Sequence, residues 1–387
     1  MKLAQRWWAR IDEIDLPAED AARLAAAWAR PGLVCPNHPS LHEPVVTFRI
    51  LDGLGLRANY VMERETLRTL GPLGTLLQGA GAYSIRRGAA DRDAFAATRR
   101  LLVEGRHIVI YPEGETYGLN DLLLPFHEGV AQMGLWGMAD RAKASLDPSV
   151  LLVPMAVKYR YGGDLRPVID AALTRLESQL GLHQPLAERY ERLRRVGFAV
   201  VRAIQRRTGV ELPADATLNE HIEAVLDGLV ARISHLLAVE HVPGATFQDR
   251  LRRLYTVLDE QMHEPDDTAS AYARQVQQQR EPAWRAFEAD LRRVQCFQAV
   301  RDGYVGAHPS AERYLDMLGR LEREVFGRAP CYGRRRALVR VGEPLDLACW
   351  AAAYKADRKA ALAAITTELR ARVLAMVEAL GQAAPVV

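Results

Sequence analysis

Residues 107–116 read HIVIYPEGET, a short apolar strand followed at once by a turn rich in chemical groups. The β-branched residues among the first five letters favour a buried strand, and Pro112 and Gly114 predict that it ends in a tight turn. A second run of the same character, LLVPMAVKY, covers residues 151–159. Helix-forming composition precedes and separates these runs, as over residues 91–104. Alternation of strands and helices at this spacing predicts an α/β sheet with a parallel component.

The same alternation extends outward along the chain. Further strands are predicted at residues 33–36, 58–62, 82–85 and 337–341. Between about residues 164 and 333, apolar residues recur only at helical spacing, and Pro and Gly residues, Pro282 among them, divide the segment into six or seven helices. An isolated strand cannot satisfy its backbone groups, so the strand at 337–341 must join the sheet of the first half. We therefore predict one α/β domain, a sheet flanked by helices and interrupted by a large all-helical insertion.

This interpretation gives four segments. They are an N-terminal amphipathic helical lead-in over residues 1–30, the first part of the α/β domain over 31–163, the helical insertion over 164–333, and the closing strand and C-terminal helix over 334–387.

Composition excludes several classes of protein. Hydrophobic residues make up 49% of the 387 residues, enough for a sizeable core. The 51 basic and 48 acidic residues nearly cancel, and no basic patch interleaved with aromatic residues is present, so no nucleic-acid partner is expected. The four cysteines have no metal-binding spacing, which favours free thiols in a reducing cytoplasm and no metal site. We expect neither a signal peptide nor a transmembrane helix, because charges interrupt every apolar stretch.

Four segments stand out at or near the carboxyl ends of predicted strands, where open α/β sheets place their sites. They read NHPSLHE (37–43), GAYSIRRG (81–88), YPEGET (111–116) and VPMAV (153–157). His38 and Glu43 are five residues apart and would not share a helix face, but they can meet in a loop that turns into a helix. Arg87 lies at the end of the second of these strands.

In this order the segments resemble the glycerophospholipid acyltransferase family, which includes the lysophosphatidate (1-acylglycerol-3-phosphate) acyltransferases. That family has the motifs N-H-x-x-x-x-D, G-x-x-F-I-x-R and F-P-E-G-T-R, followed by a V-P-x-x strand. The segment RALVRVGEPLDL at 336–347 also resembles the strand and G-x-P-I with which the family closes. The resemblance covers about residues 31–161 and 334–387 and does not include the helical insertion.

The resemblance implies transfer of a fatty acyl group from acyl-CoA or acyl carrier protein to the hydroxyl of a lysophospholipid. Such an enzyme would serve phospholipid biosynthesis or remodelling as a peripheral protein on the cytoplasmic face of the cell membrane, with no metal or bound cofactor. His38 suits the general base near neutral pH, and Glu43 would orient it. A thioester is already activated, and the sequence has no G-x-S-x-G segment for a serine nucleophile.

The resemblance also implies a set of substrate-binding residues. Arg87 would pair with the acceptor phosphate, and Glu113 and Gly114 would shape the pocket around it. The set is Asn37, Arg87, Tyr111, Glu113 and Gly114. For Asn37, beside the base, bracing the loop is the more plausible role.

Three departures from the family pattern bear on function. Glu43 stands in place of Asp, Ser84 in place of Phe, and Glu115-Thr116 in place of Thr-Arg. The third removes a positive group and adds a negative one beside the expected phosphate site, which favours a less anionic head group. An alternative function is therefore the same chemistry on a non-phosphate or amino lipid. A second alternative, suggested only by Glu43, is a non-catalytic lipid-binding protein.

Several segments admit two interpretations. Trp7 and Trp8, beside Arg6 and Arg10, suit a membrane interface or packing on their own domain. The Arg-rich segment 186–207 suits an anionic membrane or one helix of a bundle with a solvated face. The polar residues Asn120, Asp121 and His127 could read an unusual acceptor or be ordinary loop residues. The insertion as a whole could dock the membrane, bind the acyl donor or mediate self-association.

Overall fold

A computed structural model describes residues 4–85, 91–210, 213, 215–240, 242–263 and 271–382. Its strands form one sheet in the order β1-β7-β6-β2-β5-β3-β4, with β8 paired to β6. The strands are β1 (Ile11–Asp15), β2 (Gly32–Pro36), β3 (Asn59–Glu63), β4 (Ala82–Ile85), β5 (His107–Val109), β6 (Leu151–Tyr161), β7 (Arg335–Val341) and β8 (Leu345–Asp346).

Helices flank the sheet and fill the long interval between β6 and β7. Those before β6 are α1 (Ala18–Ala27), α2 (Glu43–Gly53), α3 (Arg64–Thr69), α4 (Pro72–Gly79), α5 (Arg92–Val103) and α6 (Gly129–Lys143). Those between β6 and β7 are α7 (Arg166–Gln179), α8 (Arg189–Thr208), α9 (Leu218–Leu236), α10 (Phe247–His263), α11 (Ala271–Gln298) and α12 (Ala311–Phe326). The chain ends with α13 (Ala351–Ala356) and α14 (Arg358–Gln382), and short helical turns cover Ala4–Trp8 and Leu347–Trp350.

The predicted α/β fold, with a parallel component, is confirmed. Strand β2 pairs in parallel with both β5 and β6, so the segments that follow β2 and β5 emerge at the same edge of the sheet. Strand β7 returns after the helices and pairs antiparallel to β6, with Val157 opposite Val339. Within the described ranges, every helix is too short or too polar to span a lipid bilayer.

Two local predictions were wrong. The lead-in is not wholly helical, because Ile11–Asp15 is a strand that pairs in parallel with β7. Its partner lies some three hundred residues away, so a local pattern cannot reveal the pairing. Pro282 does not separate two helices and lies inside α11. A proline within a helix costs roughly 3 kcal/mol, and burial of Trp284 and Leu291 on the same helix offsets that cost.

The Arg-rich helix α8 is a member of a bundle. Leu193, Val196 and Val200 on one face are buried in the core that the inserted helices share. The arginines pair with acidic residues of that bundle, as in the contacts from Arg189 Nε to Asp170 Oδ1 (2.8 Å) and from Arg192 Nη2 to Glu177 Oε2 (2.7 Å). These ion pairs favour the bundle over a membrane-binding helix.

The loop between β5 and α6 joins the sheet to the inserted helices. The Asn120 side chain bonds both backbone groups of Tyr159, at 2.8 Å each, and its backbone N–H donates to Asp316 Oδ2 at 2.8 Å. Asp121 pairs with Lys158 of β6 and, at 2.7 Å, with Arg313 of α12. Both side chains are therefore occupied in bracing the loop, which favours the structural interpretation of these two residues.

Candidate active site

His38 and Glu43 meet where β2 gives way to α2. The chain turns after Pro36, and Glu43 is the first residue of the helix. His38 Nδ1 lies 2.7 Å from Glu43 Oε2. The imidazole is 15% exposed whereas the carboxylate is fully buried, so the ring alone faces solvent. This is the contact that the sequence predicts, made with Glu in place of the family's Asp.

The Glu43 carboxylate is held by donors on every side. Tyr159 Oη donates to Oε1 at 2.6 Å and Ser40 Oγ donates to the same oxygen at 2.7 Å. The Ser40 backbone N–H donates to Oε2 at 3.0 Å. These bonds compensate for burial of the acid and fix its position. With Glu43 fixed, the orientation of the His38 ring follows.

The second histidine of the segment is a structural residue. His42 Nδ1 lies 2.8 Å from Arg335 Nη2, and its ring contacts the edge of the Trp8 ring. Burial, with the Arg335 charge adding to it, lowers the pKa of His42 to about 4. It therefore stays neutral at physiological pH and accepts from Arg335. Because its ring nitrogen already accepts from Arg335, His42 is not available to take a proton from a substrate, which leaves His38 as the candidate of the two.

Tyr111 and Asn37 support the His38 loop from two directions. The Tyr111 ring stacks on the His38 imidazole, with the centroids 4.3 Å apart. The Asn37 amide is 1% exposed and bonds both backbone groups of Val157, at 3.0 and 2.6 Å. The substrate-binding assignment of Asn37 is thus corrected to the bracing role, because its polar atoms are already paired inside the protein.

Glu113 also braces the loop, and both of its carboxylate oxygens have backbone partners. It is buried, its Oε1 accepts the His38 backbone N–H at 2.6 Å, and its Oε2 accepts the Leu124 N–H at 2.9 Å. Burial raises the pKa of Glu113 to about 7, although the two N–H groups act against that rise. Its predicted contact with the substrate is corrected accordingly: Glu113 ties the second half of the site to His38.

The turn after Glu113 requires glycine. Gly114 has φ +67°, a left-handed conformation that glycine adopts without strain. A Cβ there would also lie 2.7 Å from the His127 ring. Gly114 thus lets His127 pack directly on the turn, and its role in shaping a substrate pocket stays a prediction.

The Glu115 carboxylate has hydrogen-bond donors inside the protein. The side chain is buried and accepts from Tyr117 Oη at 2.6 Å and from Gln295 Nε2 of α11 at 3.3 Å. It therefore belongs to the contact between the motif and the inserted helices. Arg87, the predicted phosphate ligand, lies outside the described residues.

Sequence reasoning missed three residues that shape the site. Tyr159 and Ser40 hold the acid, and Arg335 holds His42 while stacking its guanidinium 4.3 Å from the centroid of the Tyr159 ring. Tyr159 ends the predicted strand LLVPMAVKY, so its position next to the site could have been anticipated from strand order. Arg335 follows the insertion in sequence, so no local pattern around it indicates that it lies next to Tyr159 and His42.

Comparison with known proteins agrees with this geometry. A family model described as Acyltransferase matches residues 17–158, a segment that includes His38, Glu43 and the turn at Glu113 and Gly114. Among curated proteins, a search finds no match to the chain. The four motifs, their order and the family match all concern the same part of the sheet. Residues 17–158 thus match the Acyltransferase family, in agreement with the glycerophospholipid acyltransferases that the four motifs resemble.

Proposed function

We propose that the protein transfers a fatty acyl group from acyl-CoA or acyl carrier protein to the hydroxyl of a lysophospholipid. The observation that carries this proposal is the 2.7 Å contact between His38 Nδ1 and Glu43 Oε2. Because the carboxylate accepts a hydrogen bond there, Nδ1 carries the proton and the lone pair of the neutral ring lies on Nε2. His38 is thus prepared as a base, on a ring that solvent can reach.

The chemistry follows from this tautomer. Nε2 takes the proton of the acceptor hydroxyl while the hydroxyl oxygen attacks the thioester carbonyl carbon. The buried Glu43 carboxylate stabilises the imidazolium that forms. As the new C–O bond is completed the C–S bond breaks, and the imidazolium returns the proton to the leaving thiolate. The products are the acylated lipid and a free thiol, and no covalent enzyme intermediate is needed.

A phosphate-bearing acceptor is the better of the two acceptor classes. The case for a non-phosphate or amino lipid rests on Glu115, whose carboxylate is buried and engaged by Tyr117 and Gln295. The phosphate-binding role that the family resemblance implies for Arg87 is kept as part of the proposal.

A membrane surface is the proposed source of the acceptor. Trp7, Trp8 and Leu41 are 77%, 57% and 64% exposed, and Arg6 and Arg10 beside the tryptophans are exposed as well. Trp8 touches His42, so this patch borders the His38 loop. Exposed indole rings flanked by arginines suit the interface of an anionic bilayer, and the exposure argues against packing within the domain.

Vesicle binding tests the membrane part. We expect the wild type to sediment with phosphatidylglycerol vesicles. The double variant Trp7→Ala/Trp8→Ala should bind these vesicles with an affinity lowered by about tenfold or more, because two interfacial anchors are lost. Leu236→Ala removes an apolar side chain of the insertion that is 52% exposed and serves as the control. Equal binding by both variants would remove this patch from the proposal.

Thiol release tests the reaction itself. Palmitoyl-CoA and palmitoyl carrier protein are supplied with a panel of lysophospholipids, monoacylglycerol and amino lipids. We expect release that depends on a lysophospholipid. Release that prefers a phosphate-free acceptor would favour the alternative acceptor class. No turnover with either donor would favour a lipid-binding role without catalysis.

A further inference from the structure

The inserted helices contribute one cation to the edge of the site. Arg252 of α10 places Nη2 at 2.9 Å from His127 Nδ1 and 3.1 Å from His127 Nε2. Arginine has no acceptor, so the imidazole must accept from it and is neutral there. Burial, together with the Arg252 charge, lowers the pKa of His127, although the charge of Glu115 acts in the opposite direction. His127 therefore positions the guanidinium without sharing its charge.

His127 connects this cation to the catalytic loop. Its backbone N–H donates to the Pro112 carbonyl at 2.9 Å, and its ring lies against Gly114, where a Cβ would meet it at 2.7 Å. Glu113, between those two residues, accepts the His38 backbone N–H. Through His127, Arg252 thus contacts the same turn from which Glu113 supports the His38 loop.

The guanidinium is only partly used by the protein. Among the described residues its acidic neighbour is Asp249, with Nη1 to Oδ1 at 3.6 Å, beyond hydrogen-bond distance. The Arg252 side chain is 33% exposed and the Asp249 side chain 54%. Donors of Arg252 therefore remain available to a ligand.

Building on the proposed function, we propose that Arg252, positioned by His127, binds a phosphate group of a substrate as it lies in the site. A planar guanidinium with free donors suits bidentate contact with phosphate oxygens. The family motif ends in Thr-Arg, whereas this sequence has Glu115-Thr116 and no arginine there. Arg252 of the insertion would supply a positive group in its place. The phosphate belongs either to the head group of the acceptor or to the donor thioester.

Calorimetric binding to the full chain tests this role and separates the two sources. The acceptor probes are 1-hexanoylglycerol 3-phosphate and its phosphate-free counterpart 1-hexanoylglycerol. The donor probes are coenzyme A and phosphate-free pantetheine. In Arg252→Gln we expect the affinity for one phosphate-bearing probe to fall about tenfold or more, because a charge-assisted contact is lost, while the phosphate-free probe of that pair is unaffected.

The control is Arg253→Gln, which removes an exposed arginine from the next position of the same helix and should leave affinity within about twofold. A fall confined to the lysophosphatidate probe assigns the phosphate to the acceptor, and one confined to coenzyme A assigns it to the donor. No phosphate-dependent binding by the wild type, or equal losses in both variants, would overturn the proposal. Binding needs no turnover, so this result is independent of the thiol-release assay that tests the proposed function.

Discussion

In the His38→Ala variant, acceptor-dependent thiol release from palmitoyl-CoA is expected to fall by about 100-fold or more, the usual contribution of a positioned general base. The ring is the only part of the His38–Glu43 pair that solvent reaches, since Glu43 is fully buried. Its loss removes the group that takes the hydroxyl proton. The measurement is kcat for the preferred lysophospholipid, with binding of that lipid followed separately.

His183→Ala is the matched control, because it removes an exposed histidine from a loop of the insertion and should leave turnover unchanged. The split between kcat and lipid binding separates a base from a packing residue. Loss of a base should lower kcat while binding of the lysophospholipid stays close to that of the wild type. Unchanged turnover in His38→Ala would contradict the proposed mechanism.

Glu43→Gln gives an independent check on the tautomer. An amide in place of the acid can present its NH2 group to His38 Nδ1, which selects the tautomer whose Nε2 carries the proton and cannot act as a base. The alternative amide orientation places that NH2 group against the donors of Tyr159 and Ser40. Either orientation should lower kcat, and an unchanged kcat would show that Glu43 does not set the state of the base.

The sequence was sufficient to predict the contact between His38 and Glu43 and the positions of most strands along the chain. Each strand near the site carries its own apolar run, and His38 and Glu43 lie within one loop, so their meeting needs only local geometry. The α/β class could also be predicted, because the local periodicity of apolar residues distinguishes strands from helices. Strand β1 escaped prediction because Ile11–Asp15 is short and charged, and its partner β7 is distant in sequence.

The parts of the site that could not be predicted depend on contacts across the insertion. The sequence places Glu115 in the motif but cannot show that its carboxylate is buried and accepts a hydrogen bond from Gln295 of α11. Glu113 looks like a substrate ligand until the His38 and Leu124 backbones are found at its two oxygens. In both cases residue type indicates chemistry correctly, but the direction of the side chain is set by elements far away in the chain.

A large loss of stability is expected when Asp121 is substituted at the junction between the sheet and the insertion. Asp121 is buried and pairs with Lys158 of β6 and Arg313 of α12. Burial alone would raise the pKa of the Asp121 carboxyl, but the charges and hydrogen bonds of these two cations outweigh it and hold that pKa below its ordinary value. The carboxylate therefore remains ionised and compensates the Lys158 ammonium, whose side chain is almost fully buried.

Asp121→Asn should lower the free energy of unfolding by about 3 to 5 kcal/mol, because it leaves a buried ammonium without its counter-charge. Urea unfolding followed by circular dichroism measures the change. Asp164→Asn, at the exposed pair with Arg166, is the matched control and should leave the midpoint nearly unchanged. Adding Lys158→Met to Asp121→Asn should recover much of the loss, since the uncompensated charge is then gone. If Asp121→Asn unfolds at the same urea concentration as Asp164→Asn, the junction does not depend on this ion pair, and the insertion must be held to the sheet by its other contacts, such as the bond from the Asn120 backbone to Asp316.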